Sequence, residues 1–556
     1  MDNQRIILFF ALSFVLLLIW QAWQKDFSTE PSPTTAVTEG VETKQTVDVP
    51  NVVNSTTDST AATQLAATTP EINNKKLETA GRVHVVTDTL EVDIDLRGGD
   101  LREADLVKYP VDLSKEKTPF RLLQDSESHI LIAQSGLLST SGAPDHHAIY
   151  KADQTSYRLA DGQKQLKVDL HWQNDQGIQV TKTYTFTRDS YKVSVEHKVN
   201  NGSAVEWQGH QYEQLQRTRP GADEKSRFIN TYTGGVIYSN EEKYEKYSFD
   251  DMDDKDLSRD IASGWAAMIQ HYFVTAWLPP REQTYKYYSK APQNSPYVLG
   301  MVSPVLKIAP GQSGTFKSDI YIGPKDQKRL AAITPSLKLT VDYGVLTILA
   351  QPLFWLLSHL HKLFNNWGWS IIVLTLIIKL AFYKLSATSY RSMANMRKLA
   401  PRVATIRERY GDDRQRMSQA MMELYKKEKI NPLGGCLPMV VQIPVFIALY
   451  WVLLESVEMR QAPFIGWIVD LSVKDPYYVL PLLMGASMFI QQRLNPPPPD
   501  PVQAKVMMAL PFIFTLFFAF FPAGLVLYWV ANSVTSILQQ WVITRNIEKA
   551  THKQSA

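Results

Sequence analysis

Hydrophobicity in this chain is gathered into blocks of 16 to 21 residues, lengths that suit a lipid bilayer. One block carries a charge. In Trp369-Ser-Ile-Ile-Val-Leu-Thr-Leu-Ile-Ile-Lys379-Leu-Ala-Phe-Tyr383, Lys379 is the only charged residue inside any of the long apolar runs. A lysine at the centre of a spanning helix costs roughly 2.5 to 3.5 kcal/mol, so it marks a functional site unless its amine escapes to an interface. Lys384 lies five residues on, about 7.5 Å along a helix, and snorkelling toward the same interface is the competing reading.

The rest of the chain is not membrane-like. Lys and Arg number 58 against 55 Asp and Glu, and the apolar blocks alternate with long polar stretches, as in a membrane protein attached to a large soluble part. Cys436 is the sole cysteine. No intramolecular disulfide can form, and no zinc or thiol site is expected.

Residues 1–23 contain an apolar run, Ile6 to Trp20, that ends in aromatics where a cleavage site would carry small residues. It reads as an uncleaved transmembrane anchor. Residues 24–80, rich in Ser, Thr, Pro and Ala, read as a flexible linker. Over 81–325 the pattern turns to short alternating runs, such as Val83 to Leu96 and Val180 to Lys198, broken by Gly, Asn and Asp. These predict strands with one buried face and a β-sandwich with a substantial core. His210, His271 and Asp250 to Asp254 invite a metal reading but lack ligand spacing, and are expected to be loop or ordinary core.

Residues 334–364 include an apolar stripe, Leu346, Leu349, Leu353, Leu356, Leu360 and Leu363, interrupted by Gln351, Pro352 and two histidines. An amphipathic helix lying in the interface is expected. Next comes the span around Lys379, residues 367–385. Residues 384–431 then carry 12 Lys and Arg against 5 acids. Such an excess belongs in the cytoplasm. That orientation sends the first span outward, brings the Lys379 span back, and places the sandwich outside. Four further spans fit within 437–543, at about 437–454, 477–492, 506–521 and 523–543, leaving the tail 544–556 inside.

The basic segment, 386–430, has two seams: Met396, Leu399, Val403, Ile406 and Tyr410, then Met417, Met421 and Leu424. Gly411 can cap the first helix and Asp412 or Asp413 the second, giving a coiled-coil hairpin. Its outward cations, Arg397, Lys398, Arg402, Arg407, Arg409, Arg414 and Arg416, suit anionic lipid, ribosomal RNA or acidic substrate tails. Nucleotide-binding, metalloprotease and nucleophile-elbow motifs are all missing. No catalytic residue, cofactor or metal is expected. Polar residues inside the spans are Thr375 one turn before Lys379, Gln442, Asn532, Ser533 and Thr535. Together with Lys379 they suit the lining of a wet cavity.

Asn431-Pro-Leu-Gly-Gly-Cys-Leu-Pro-Met-Val-Val-Gln-Ile-Pro-Val-Phe-Ile-Ala-Leu-Tyr450, Arg460-Gln-Ala-Pro-Phe464, Asp475-Pro-Tyr-Tyr478 and Phe521-Pro-Ala-Gly-Leu-Val-Leu-Tyr-Trp529 closely resemble the YidC membrane protein insertases, and Gly264 to Phe273 resembles the periplasmic domain of their Gram-negative members. The resemblance implies a multi-domain inner-membrane protein with six helical spans, five of them forming the insertase core around a cytoplasm-open hydrophilic groove. It implies action without nucleotide hydrolysis on nascent inner-membrane proteins, alone or beside the Sec translocon, with ribosome and anionic lipid as further partners and no small-molecule substrate. The family's groove cation is usually Arg; Lys379 keeps the charge and loses the planar fork. Trp529 stands where many members have Tyr. The implied substrate slide comprises Thr375, Ile443, Pro444, Phe446, Tyr528 and Trp529. The alternative is a secondary transporter using Lys379 as an anion or proton site, which calls for internal repeats that the spans lack.

Overall fold

A computed structural model of the chain describes residues 77–555 apart from 116, 127, 222–230, 292–295, 412, 429–436 and 495–500. The anchor and nearly all of the linker expected over 1–80 therefore lie outside the described residues.

Among the described residues, twenty strands between Arg82 and Pro324 form an 11-stranded and a 9-stranded sheet. Alternation is the cause. Arg82–Val86 buries Val83 and Val85 and exposes their neighbours more, and Leu90–Asp95 pairs with it in antiparallel register, Val83 opposite Ile94. In the second sheet Ile178–Thr187 and Lys192–Asn201 pair with Phe186 opposite Val193, joined through Asp189 in the left-handed region at φ 52°. The inward faces of the two sheets supply the main apolar core, with a separate smaller cluster around Trp207, as a sandwich requires.

That core contains a polar layer. Lys182 occupies an inward position between Val180 and Tyr184, and its Nζ donates across the sandwich to the carbonyls of Gly98 at 2.9 Å and Ser135 at 2.8 Å. Tyr184 donates to the Gly99 carbonyl at 2.5 Å. Both glycines have positive φ, and a Cβ on Gly98 would sit 2.7 Å from the His146 Cα, so the turn beneath Lys182 requires them. Glu213, wholly buried, belongs to the same layer. Burial pushes its carboxyl up to about 8 and pulls the Lys182 amine down to about 8, since the interior disfavours either charge.

Two short helices, α1 (Phe249–Asp254) and α2 (Gln327–Ile333), decorate the sandwich. The helical region follows as α3 (Thr347–Phe364), α4 (Trp367–Ala381), α5 (Tyr383–Lys398), α6 (Ala400–Tyr410), α7 (Arg414–Lys427), α8 (Leu437–Glu455), α9 (Val479–Leu494), α10 (Pro501–Phe518) and α11 (Ala523–Ser555). Among the described residues, only Gly344–Phe364 is by itself long and apolar enough to cross a membrane; Trp367–Ala381 and Tyr383–Met396 pass together, bent by 68°.

The segment from 334 is not helical throughout. It passes through short 3-10 turns at Leu337–Thr340 and Gly344–Leu346 before α3 begins. The expected stripe is exposed or half-buried along α3, and a second face is the buried one. Ala350, Phe354, Leu357 and Ser358 are buried, whereas Leu349 and Leu363 face outward with Ile348 and Trp355. The helix is apolar on both sides because one side packs against α4 and α8. A tight turn then reverses the chain: Asn365 takes a left-handed conformation at φ 48° and the Asn366 side chain caps α4 by accepting from Trp369 N at 3.1 Å, the two roles that asparagine fills well.

The polar layer predicts a pH response. Between pH 4.5 and 8 the folded sandwich keeps a proton on Glu213 that the unfolded chain releases, so this group's contribution is full below 4.5 and lost by about 8. Lys182 acts in the opposite sense only between about 8 and 10.5. The sandwich melting temperature should fall from pH 5 to pH 8, and Glu213→Gln should flatten that fall in differential scanning calorimetry.

Candidate functional site

The α4 helix ends early. The expected span over 367–385 breaks at Phe382, whose backbone at φ −92° and ψ 11° leaves the helix. Lys379 is thereby in the last turn of α4, where the partial negative charge of a helix C-terminus favours a cation. The carbonyl of Lys379 itself, near that frayed end, accepts from Gln539 Nε2 at 3.3 Å.

The ammonium is 5% exposed and points among α8 and α11. It donates to Ser536 Oγ at 2.8 Å and to Gln442 Oε1 at 3.2 Å. Gln442 turns its Nε2 to Asn532 Oδ1 at 2.6 Å, and Ser536 donates to the Asn532 carbonyl at 2.8 Å. Tyr390 of α5 reaches the Ser536 carbonyl at 3.4 Å. The helices α4, α8 and α11 and the following α5 thus meet through one chain of hydrogen bonds. All acceptors of the ammonium are neutral, and among the described residues no carboxylate lies within ion-pair distance of it. An ammonium has three donors, and these partners occupy two.

Of the residues expected in a groove, the structure joins Lys379, Gln442 and Asn532. Thr375 is 1% exposed and spends its hydroxyl on the Ile371 carbonyl at 2.7 Å. Thr535 does the same with the Ala531 carbonyl at 2.7 Å, and Ser533 is buried on the adjoining face of α11. The expectation lacked Ser536, Tyr390 and Gln539. Ser536 lies four residues after Asn532, one helical turn; that spacing was the available signal.

The slide residues separate by depth. Ile443 is 48% exposed and Pro444 is exposed, facing outward from α8. Phe446 lies 5.9 Å from the Tyr528 ring and 4.6 Å, edge to face, from Trp529, which in turn contacts Phe518 at 5.1 Å. Tyr528 is buried and Trp529 half-buried. Ile443 and Pro444 are thus exposed and Phe446 and Trp529 half-buried, while Thr375 and Tyr528 are buried.

The basic segment folds as α5, α6 and α7. A break at Leu399, just before Pro401, separates the first two, consistent with the missing proline N–H. Asp413 caps α7, accepting from Gln415 N at 3.1 Å and Arg416 N at 3.0 Å. Gly411 remains right-handed at φ −53°, so no left-handed cap forms there. Arg402 reaches back to Glu428 at 2.6 Å and ties the ends of the pair. Lys398, Arg402, Arg407, Arg409 and Arg416 are exposed; the side chains of Arg397 and Arg414 lie outside the description.

A large β domain followed by apolar helices that bury an ammonium beside no carboxylate of the described residues is the arrangement of a membrane protein with a soluble part. The sequence profile described as the YidC periplasmic domain matches residues 82–356, and that described as 60Kd inner membrane protein matches 359–550. Membrane protein insertase YidC of Thioalkalivibrio sulfidiphilus is 52% identical over the whole of both chains. Those of Alkalilimnicola ehrlichii and Methylococcus capsulatus are 52% and 51% identical, each over 99% of this chain and over 96% and 99% of their own. The chain belongs to the YidC family of membrane protein insertases. Membership puts the helical region in the inner membrane and the β domain in the periplasm. It gives no support to the transporter alternative, and the family is not one of enzymes.

Ser536→Ala should remove the shorter of the two ammonium bonds. A hydrogen bond to a charged group contributes about 1.5–3 kcal/mol, so the melting temperature of the helical region in detergent should drop, with Ser536→Thr retaining most of it.

Proposed function

We propose that the cluster around Lys379 is where this insertase lowers the barrier for a substrate's polar flank to enter the membrane. Inserting a span drags polar groups through hydrocarbon at a cost of several kcal/mol. The observation that carries the reading is a buried ammonium held by Gln442 and Ser536, with, among the described residues, a donor to spare and no carboxylate beside it. An acidic residue of a translocating segment is the partner such a group accepts best. Water entering from the cytoplasmic side makes the charge tolerable and shortens the dry path.

In this reading the chain has six spans, the first within residues 1–23, with both termini cytoplasmic. Five spans form the core, and the hydrophilic groove they enclose opens toward the cytoplasm. The apolar part of the substrate rests on Ile443, Pro444, Phe446 and Trp529, and the aromatic packing of Tyr528 beneath them keeps that surface firm. The α6–α7 hairpin meets the substrate first, its exposed arginines drawing acidic tails, anionic lipid or the ribosome. The chain works alone or beside the Sec translocon, assists folding as well as insertion, and uses neither nucleotide nor cofactor.

Reconstituted in liposomes, Lys379→Ala should cut insertion of a substrate with an acidic translocated tail by tenfold or more on the order of one lost charge-assisted bond, while Lys379→Arg stays within a few-fold. A substrate with an uncharged tail should tell the two variants apart far less. Equal insertion of the acidic substrate by both would end the charge-attraction account. Photocrosslinkers at 443 and 529 should capture a nascent span. A probe at the buried position 375 should capture it only when the helices part, and silence from both 443 and 529 would remove the slide.

A further inference from the structure

The C-terminus of α8 meets the β domain at Lys325 and His271. Its last turn carries no cation and finishes with Glu455, so a carboxylate adds to the negative pole of the helix and to its unpaired carbonyls. Everything that relieves this comes from outside α8. The Glu455 carboxylate receives Lys325 Nζ at 2.8 Å, the two side chains being 6% and 2% exposed. The Leu454 carbonyl receives His271 Nε2 at 2.9 Å; burial lowers the His271 pKa, and the neutral ring donates from that nitrogen. The Val452 carbonyl receives Ser456 Oγ at 2.5 Å.

Lys325 and His271 are held together within the sandwich. Lys325 N donates to the Tyr272 carbonyl at 2.8 Å, directly beyond the pairing of Phe273 with Pro324. Past the helix, Arg460 and Gln461 both donate to the Pro110 carbonyl, at 2.6 and 2.8 Å, and the Arg460 guanidinium lies 5.6 Å from the Phe273 ring. The chain leaving α8 is therefore fastened to the same corner of the β domain.

We propose that the β domain caps α8, and that Lys325 and His271 are positioning residues which set the height and rotation at which Gln442 meets Lys379 and Asn532. The α8 helix runs unbroken from Leu437 to Glu455 through Pro444, and Gln442 stands about 20 Å from Glu455 on it. Pinning one end fixes where the other presents its amide. The pair suits this task better than an apolar contact would, because removing either partner strands a buried charge whereas removing both does not. The positioning role rests on the reading of the Lys379 cluster as the working site; the cap itself does not.

The full chain in liposomes provides the test, as Lys325→Met, Lys325→Arg and the double variant Lys325→Met with Glu455→Met. Hydrogen exchange at residues 449–455 reads the cap, and insertion of an acidic-tailed substrate reads positioning. Lys325→Met should speed exchange there by about tenfold or more and lower insertion several-fold, with the sandwich melting transition retained. Both Lys325→Arg and the double variant should restore the two readouts together. Unchanged exchange in Lys325→Met, or a double variant as impaired as the single, overturns the cap. Faster exchange with undiminished insertion overturns the positioning role, provided Lys379→Ala abolishes insertion in the same preparation. If Lys379→Ala has no effect either, the failure belongs to the site and the exchange result still stands for the cap.

Discussion

A lone ammonium inside a bundle of apolar helices is the constraint around which the membrane part is arranged. None of the described residues gives it a counterion, so its stability comes from smaller contributions acting together. The early end of α4 presents a negative helix terminus, Ser536 and Gln442 supply two neutral acceptors, and Asn532 holds both of those in place. Remove the break at Phe382 and Lys379 would sit mid-helix without the terminus. Remove Asn532 and the Gln442 amide would lose the bond that aims its oxygen at the amine. A carboxylate partner would stabilise the charge more, yet it would also satisfy it. Holding the cation with neutral groups keeps it able to pair.

The sandwich shows the same preference for internal polarity. Lys182 bridges two sheets through backbone carbonyls, and Glu213 lies in the same layer, its carboxyl pushed up by burial. Such layers cost stability but admit few alternative packings, because each buried donor must find its acceptor. A rigid sandwich is what a cap on α8 needs. His271 and Lys325 can transmit position only if the strands that carry them do not yield.

How much of this was legible differs by residue. Alternation marked the strands, and Val83, Val85, Phe186 and Val193 are buried where period two puts them. Lys182 breaks that pattern at an inward position, and nothing local says where its amine goes; the carbonyls it meets are 84 and 47 residues away. On α3 the stripe from Leu346 to Leu363 was legible as an apolar face, while the second face, Ala350, Phe354 and Leu357, which packs against neighbouring helices, was not. Periodicity finds an apolar side but cannot choose between neighbours and lipid when both are apolar. In the site, composition singled out Lys379, Gln442 and Asn532, while Ser536 passed as one more small polar residue. Thr375 looked available on spacing alone, and its hydroxyl turned out to be spent on its own helix. His271 read as ordinary core, and its bond to Leu454 connects positions 183 residues apart.

From the sequence by itself came the class of the protein: apolar blocks of bilayer length, a strand-rich insert, a basic segment and one misplaced charge. These are properties of short windows, set by local periodicity and by the cost of burying polar atoms, and motifs such as Asn431 to Tyr450 then connect them to a family. Tertiary structure alone decided where α4 stops, which hydroxyls face the ammonium, and that the β domain reaches the end of α8. Each of those depends on groups far apart in the chain being brought within about 3 Å, the range over which a hydrogen bond acts, and no window of sequence contains that information.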